Sequence, residues 1–220
     1  MTGIISGTVA RDEVTAVDLP QFHPPEENLI DYVSGRGGNG WELVIEAHLS
    51  LCATCRNEVR RLKALGGALI EKLPAEDLPE GMEERVLDLL DSAEITTFPS
   101  SKCDHVTDLP RSIGQLLPDN LDDIRWRASD ESGVESIDLP VPFVQILLLR
   151  IPAEALVLLG HPFFEYQKNG QLLILAGGMV SDELRLSTGD LKPLSELNEN
   201  FYADDTTALT FCLLLLQDDN

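Results

Sequence analysis

Three side chains in the stretch EAHLSLCATC, residues 46 to 55, have the types and spacing of metal ligands: His48, Cys52 and Cys55. On a continuous helix, at ~100° per residue, Cys52 lies about 40° to one side of His48 and Cys55 about 20° to the other. All three then share one narrow face. Two thiolates and an imidazole suit a tetrahedral zinc ion, which in a closed structural site takes a fourth ligand. His23, in QFHPPEEN, is the candidate. The helix and turn expected between it and His48 would fold the chain back and bring it to the Cys52 end. Such a site would tie the start of the chain to a helix and stabilise a region whose own core is small. Other readings stay open at this point. A Cys-x-x-Cys pair also suits redox chemistry, although the strand-helix context of a thioredoxin-like motif is missing. A histidine on a helix face is often a satisfied polar residue. Cys103 and His105 in KCDH form a rival pair without further ligands nearby, and Cys212, after Phe211 in an apolar run, reads as a core thiol.

The elements that must position these residues follow from pattern. PPEENLIDYVSG reads as a helix, with Pro25 in its first turn, Glu26 and Glu27 complementing the positive end, and Gly35 ending it. RGGNG is a turn. From Trp41 to about Leu65 the apolar residues Leu43, Ala47, Leu51, Val59, Leu62 and Leu65 recur at helical spacing, and Gly66 and Gly67 mark an expected stop or kink. EGMEERVLDLLDSA is a short amphipathic helix with Met82, Val86, Leu87, Leu89 and Leu90 on or near one face. Beyond a Pro-, Ser- and Thr-containing stretch, with a short helical turn expected near Ser112 to Leu117, the character changes. FVQILLLRIP, ALVLLG, QLLILAGGMVSDELRLSTGDL and TALTFCLLLL are short apolar or alternating runs split by turn residues, the signature of an antiparallel sandwich or barrel. The organisation expected is α plus β in two domains. A small N-terminal helical bundle spans 1–95, a linker 96–117 and an antiparallel β-barrel 118–220.

The 220 residues carry 38 acidic and 16 basic side chains, a formal net charge of −22 and a pI near 4.3. Phosphates would be repelled, so direct nucleic-acid binding is not expected. A basic protein partner would be attracted and its approach hastened. Residues 1 to 20 hold acidic residues and no basic start followed by an apolar stretch. No run reaches ~18 uncharged apolar residues, the length of a membrane span. A cytoplasmic location without a membrane partner is the expectation. In a reducing compartment the Cys52–Cys55 pair then suits metal or redox chemistry better than a structural bridge.

ENLIDYVSG…EAHLSLCATCRNEVRRLKALGGALIE resembles the zinc-binding anti-sigma domain, in which a helix carries H-x-x-x-C-x-x-C and an upstream His completes the site. His48, Cys52 and Cys55 match the helix motif, and His23 matches the upstream His. The whole chain resembles the ChrR-like branch, in which the helical domain precedes a cupin barrel. DDIRWRASDESGVESIDLP and LLILAGGMVSDELRLSTGDL are similar to that branch's opening strand and central hairpin. The resemblance covers roughly residues 23 to 92 and 118 to 217. It implies one zinc ion in the N-terminal region and sequestration of an extracytoplasmic-function sigma factor. The helical domain would wedge between the two sigma domains until a stress signal releases it. Met82, Val86, Leu87 and Leu90, with exposed faces of the first two helices, are the expected docking surface; the same residues would serve equally as internal core.

The alternative is a cupin-type metal enzyme, a dioxygenase or isomerase with a helical appendage. Metal-binding cupins resemble one another in an H-x-H-x-x-x-E motif before a glycine hairpin, with a later His. Counted back from Gly178, those slots fall on Glu165, Gln167 and Gln171; an alternative register keeps His161 and Glu165 but puts Leu159 in the first His slot. The region of the later His offers Asn200. Of the four histidines, only His161 lies in the barrel. A second, cupin metal is therefore not expected, nor is catalysis.

Overall fold

The computed structural model describes residues 19–75, 77, 79–92, 109–118, 123–128, 133–157, 170–197, 200–205 and 208–216. Cys103, His105, Leu159, His161, Glu165 and Gln167 lie outside them. Pro25, at φ −53° and ψ 149°, sets up α1 (Glu26–Val33), whose first turn carries Glu26 and Glu27 as the positive helix end favours. Gly35, at φ +70°, turns the chain away from it. The chain then forms α2 (Gly38–Leu51), α3 (Ala53–Ile70), α4 (Met82–Ser92) and a one-turn α5 (Arg111–Gly114).

The continuous helix expected from Trp41 to Leu65 is in fact two. Cys52 is extended, at φ −109° and ψ 110°, and its Sγ accepts from the Cys55 N–H at 3.4 Å, capping the start of α3. Arg56, one turn into α3, donates to the carbonyls of Leu49 (2.7 Å) and Ser50 (3.0 Å), satisfying acceptors that the end of α2 leaves open. Gly66 and Gly67 do not stop α3, which runs on to Ile70.

Among the described residues ten antiparallel strands follow, in two sheets. They are β1 (Arg127–Ala128), β2 (Glu135–Asp138), β3 (Gln145–Pro152), β4 (Leu156–Val157), β5 (Gln171–Ala176), β6 (Gly178–Val180), β7 (Arg185–Ser187), β8 (Leu191–Pro193), β9 (Phe201–Ala203) and β10 (Leu209–Leu216). One sheet has the order β1-β2-β3-β10-β5-β8, the other β4-β9-β6-β7. This is the α plus β arrangement expected, helices first and an antiparallel β region after.

The central strands of the larger sheet explain the runs QILLLRI, LLILA and FCLLLL. Their side chains alternate between two apolar clusters. Leu147, Leu149, Ile151, Leu172, Ile174, Cys212 and Leu214 join Val157, Met179, Leu186 and Phe201 of the second sheet inside the barrel. Ile146, Leu148, Leu173, Leu175, Leu213 and Leu215 face the other way and pack with Leu29, Val44, Ile45, Ala47 and Ile113 of the helices. A sheet covered on both faces reads as continuous rather than alternating hydrophobicity. The helical and β regions thus share one core. α2 approaches the sheet so closely that a Cβ on Gly40 would lie 2.8 Å from Val144 Cγ2 and 2.9 Å from Leu215 Cδ1. Among the described residues no helix is long and apolar enough to cross a membrane.

Candidate metal centre

The break at Cys52 changes how the motif converges. His48 comes from the last turn of α2, Cys52 from the joint and Cys55 from the first turn of α3, instead of from one helix face. His23 arrives from the extended segment before α1. The four ligand atoms all lie within 4.8 Å of one another. His23 Nδ1 stands 3.4 Å from Cys52 Sγ and 3.5 Å from Cys55 Sγ, and the two imidazoles meet edge to face at 5.7 Å between centroids. With Zn–S of ~2.3 Å and Zn–N of ~2.05 Å, the N···S edge of a zinc tetrahedron is about 3.6 Å. The observed separations match that edge.

His48 supplies the more telling test of fit. It is fully buried, and its Nδ1 sits 2.8 Å from the Gly189 carbonyl, which fixes Nδ1 as the protonated nitrogen. Its Nε2 is buried with no hydrogen-bond partner. A buried imidazole lone pair left unsatisfied costs free energy unless something accepts it. A metal ion does so, and a backbone carbonyl on the other ring nitrogen is the usual way such a ligand is oriented. Burial pushes His48 down from 6.5 to about 4, outweighing the upward effect of the Gly189 carbonyl, so the ring is neutral at neutral pH, the form that ligates. Burial, reinforced by Cys52, pushes the Cys55 thiol up to about 12. Without a metal that thiol keeps its proton, so a metal must displace it on binding. Cys212 is a different kind of cysteine. It is fully buried inside the barrel, 3.7 Å from Met179 Sδ, and burial alone pushes its thiol up.

Two groups that sequence reasoning missed hold the four together. The turn between β7 and β8 supplies Gly189, whose carbonyl orients His48, and Asp190, a buried carboxylate. Asp190 Oδ1 accepts from the backbone N–H groups of Gln21 (2.6 Å) and Phe22 (2.9 Å), and Oδ2 from that of Ser187 (2.7 Å). Leu191 N–H donates to the Phe22 carbonyl at 3.1 Å, and Lys192 Nζ lies 4.6 Å over the Phe22 ring. The segment that delivers His23 is therefore laid along the edge of the β region. The sequence marks STGDL as a turn but carries no sign of what that turn meets.

A curated relative, the anti-sigma-E factor ChrR of Cereibacter sphaeroides, is 30% identical over 174 residues, 78% of each chain. The chain belongs to the ChrR family of anti-sigma factors. The solved structure of Rhodobacter sphaeroides SigE in complex with the anti-sigma ChrR superposes with a TM-score of 0.67 at 25% identity, covering 90% of this chain and 99% of the matched one. A cupin-superfamily sugar phosphate isomerase from Silicibacter pomeroyi, 16% identical and covering 45% of this chain and 74% of its own, has a TM-score of 0.33 and adds nothing to the functional reading. No family model matches the sequence. The ChrR likeness spans both the helical and the β regions, so the fold expected from the family is the one observed.

Proposed function

We propose that this chain is a zinc-dependent anti-sigma factor. His23, His48, Cys52 and Cys55 hold one zinc ion, and the helical region, residues 1–95, sequesters a sigma factor of the extracytoplasmic-function type until a stress signal frees it. The observation that carries this reading is the likeness, over 90% of the chain, to a complex of an anti-sigma factor with its sigma factor. The zinc ion would supply cross-linking rather than chemistry, joining the His23 segment to the α2–α3 joint.

The docking surface proposed is on α4 and the far end of α3. Met82, Val86, Leu87 and Leu90 are exposed on α4, and Leu65, Leu69 and Ile70 are exposed on α3. Met82, Val86 and Leu90 recur every four residues, which aligns them in one stripe, the form of helix that lies in an apolar groove. Glu83, Glu84, Asp88 and Asp91 flank that stripe and would meet the basic surfaces of a transcription factor. Inside the barrel the described apolar residues are aliphatic, apart from Met179, Phe201 and Cys212, and the buried Ser136 and Thr210 lie on β2 and β10 beside them. Co-expression of the full chain with an extracytoplasmic-function sigma factor from the same genome tests the proposal. A stoichiometric complex that keeps the sigma factor off core RNA polymerase is expected. Free sigma factor, fully active beside excess zinc-loaded protein, would sink the reading.

A further inference from the structure

The turn Thr188–Leu191 touches both arms of the metal centre at once. Its Gly189 carbonyl hydrogen-bonds the His48 ring, and Asp190 bonds two consecutive N–H groups immediately before His23. Gly189 is also the one position in the turn where a side chain has no room. Its φ is +94°, and a Cβ there would sit 2.5 Å from Pro20 Cγ and 3.3 Å from Leu51 Cβ. The turn is thus wedged between the His23 segment and the end of α2, with a buried carboxylate as its anchor. A charged acceptor bonded to backbone N–H groups is stronger than a neutral one, and Asp190 is only 1% exposed.

We propose that Asp190 is a positioning residue for the metal centre, so that a turn of the β region, and not the helical region alone, sets how tightly the ion is held. This rests on the reading that the four ligands bind zinc. The Asp190 carboxylate touches no metal. It fixes the backbone from which His23 reaches the two sulfurs, while the adjacent carbonyl fixes the His48 tautomer. The pair holds the entering extended segment so that His23 stands as a preformed fourth ligand. Any event that shifts this turn, whether a ligand on the barrel or a change in its packing, then changes metal affinity without contact with the ion.

The experiment uses the full chain. Zinc affinity is read by competition with a chromogenic chelator, and the ligand set by the visible spectrum of the cobalt(II)-substituted protein. For Asp190→Ala the expectation is zinc held about 10- to 100-fold more weakly and a cobalt spectrum that reports loss of a nitrogen ligand. Asp190→Asn, which keeps one acceptor oxygen for Gln21 and Phe22, recovers part of the affinity. Leu147→Ala, a cavity inside the barrel away from the turn, lowers the melting temperature yet leaves affinity and spectrum unchanged. Wild-type affinity and spectrum in Asp190→Ala would overturn the proposal. So would an equal loss in Leu147→Ala, since general stability would then be what matters. A wild-type chain that takes up neither zinc nor cobalt would overturn the metal reading itself, a result visible before any variant is made.

Discussion

α2 and α4 both carry apolar residues at helical spacing, and each follows a turn. Yet Val44, Ile45 and Ala47 of α2 are buried against the sheet, whereas Val86, Leu87 and Leu90 of α4 are 47%, 53% and 66% exposed. Apolar side chains left in water forgo about 1.5–3 kcal/mol each when fully exposed, and monomeric proteins seldom leave several together without a partner for them. Amphipathic spacing therefore says that a face will be covered and not by what. In α2 the cover is this chain's own barrel. In α4 it is the proposed sigma factor.

The comparison breaks most visibly at the proposed metal centre, which would join α2 to α3 and to the segment before α1. Cys52→Ala or His48→Ala is expected to abolish zinc uptake, measured by elemental analysis, and to lose the sigma complex; one zinc retained in either variant would refute the ligand assignment. Next in size is Ile45→Ala on α2. It leaves a cavity against the sheet and is expected to cost about 2–5 kcal/mol, seen in denaturant unfolding. The matching change on α4, Leu87→Glu with Leu90→Glu, is expected to do the opposite. Stability shifts by no more than about 0.5 kcal/mol per site, while sigma affinity falls about 30-fold or more if these residues anchor the interface. An α4 variant that unfolds the protein and binds normally would reverse the roles given to the two helices.

The smallest expected effect is in the pH dependence of the metal-free chain. His48 titrates lower folded than unfolded, so the unfolded chain binds more protons between about 4 and 6.5 and stability is lost as pH falls through that range. Cys55 titrates higher folded than unfolded, so stability is lost again as pH rises above about 9.0. Metal-free protein is expected to be most stable between those limits in thermal unfolding. A flat profile from pH 4 to 7 would show that His48 is not buried without metal.

Much of this was legible in the residues. The helix after Pro25, the helix within EGMEERVLDLLDSA, the antiparallel β region and the convergence of His23 with His48, Cys52 and Cys55 follow from spacing, turn residues and the family resemblance. The break at Cys52 was not legible, because no Gly or Pro interrupts the apolar period and the cap is made by a cysteine sulfur. Nor was the shared core. A run such as FCLLLL announces a strand buried on both sides, but its two covers, the second sheet and α2, are far away in sequence. Asp190 escaped for the same reason, since its partners Gln21 and Phe22 lie 169 and 168 residues before it in the chain.

The joint at Cys52 has a mechanical consequence. Eighteen residues of α3 extend beyond it, a rod of about 27 Å at ~1.5 Å per residue. A swing of only about 10° at its root carries the tip, where Leu69 and Ile70 face solvent, through roughly 5 Å. If the proposed ion ties two sulfurs and two imidazoles together at that joint, it would also set the aim of this rod, and a small change there would move the far end by more than the width of a methyl group without unfolding a single turn.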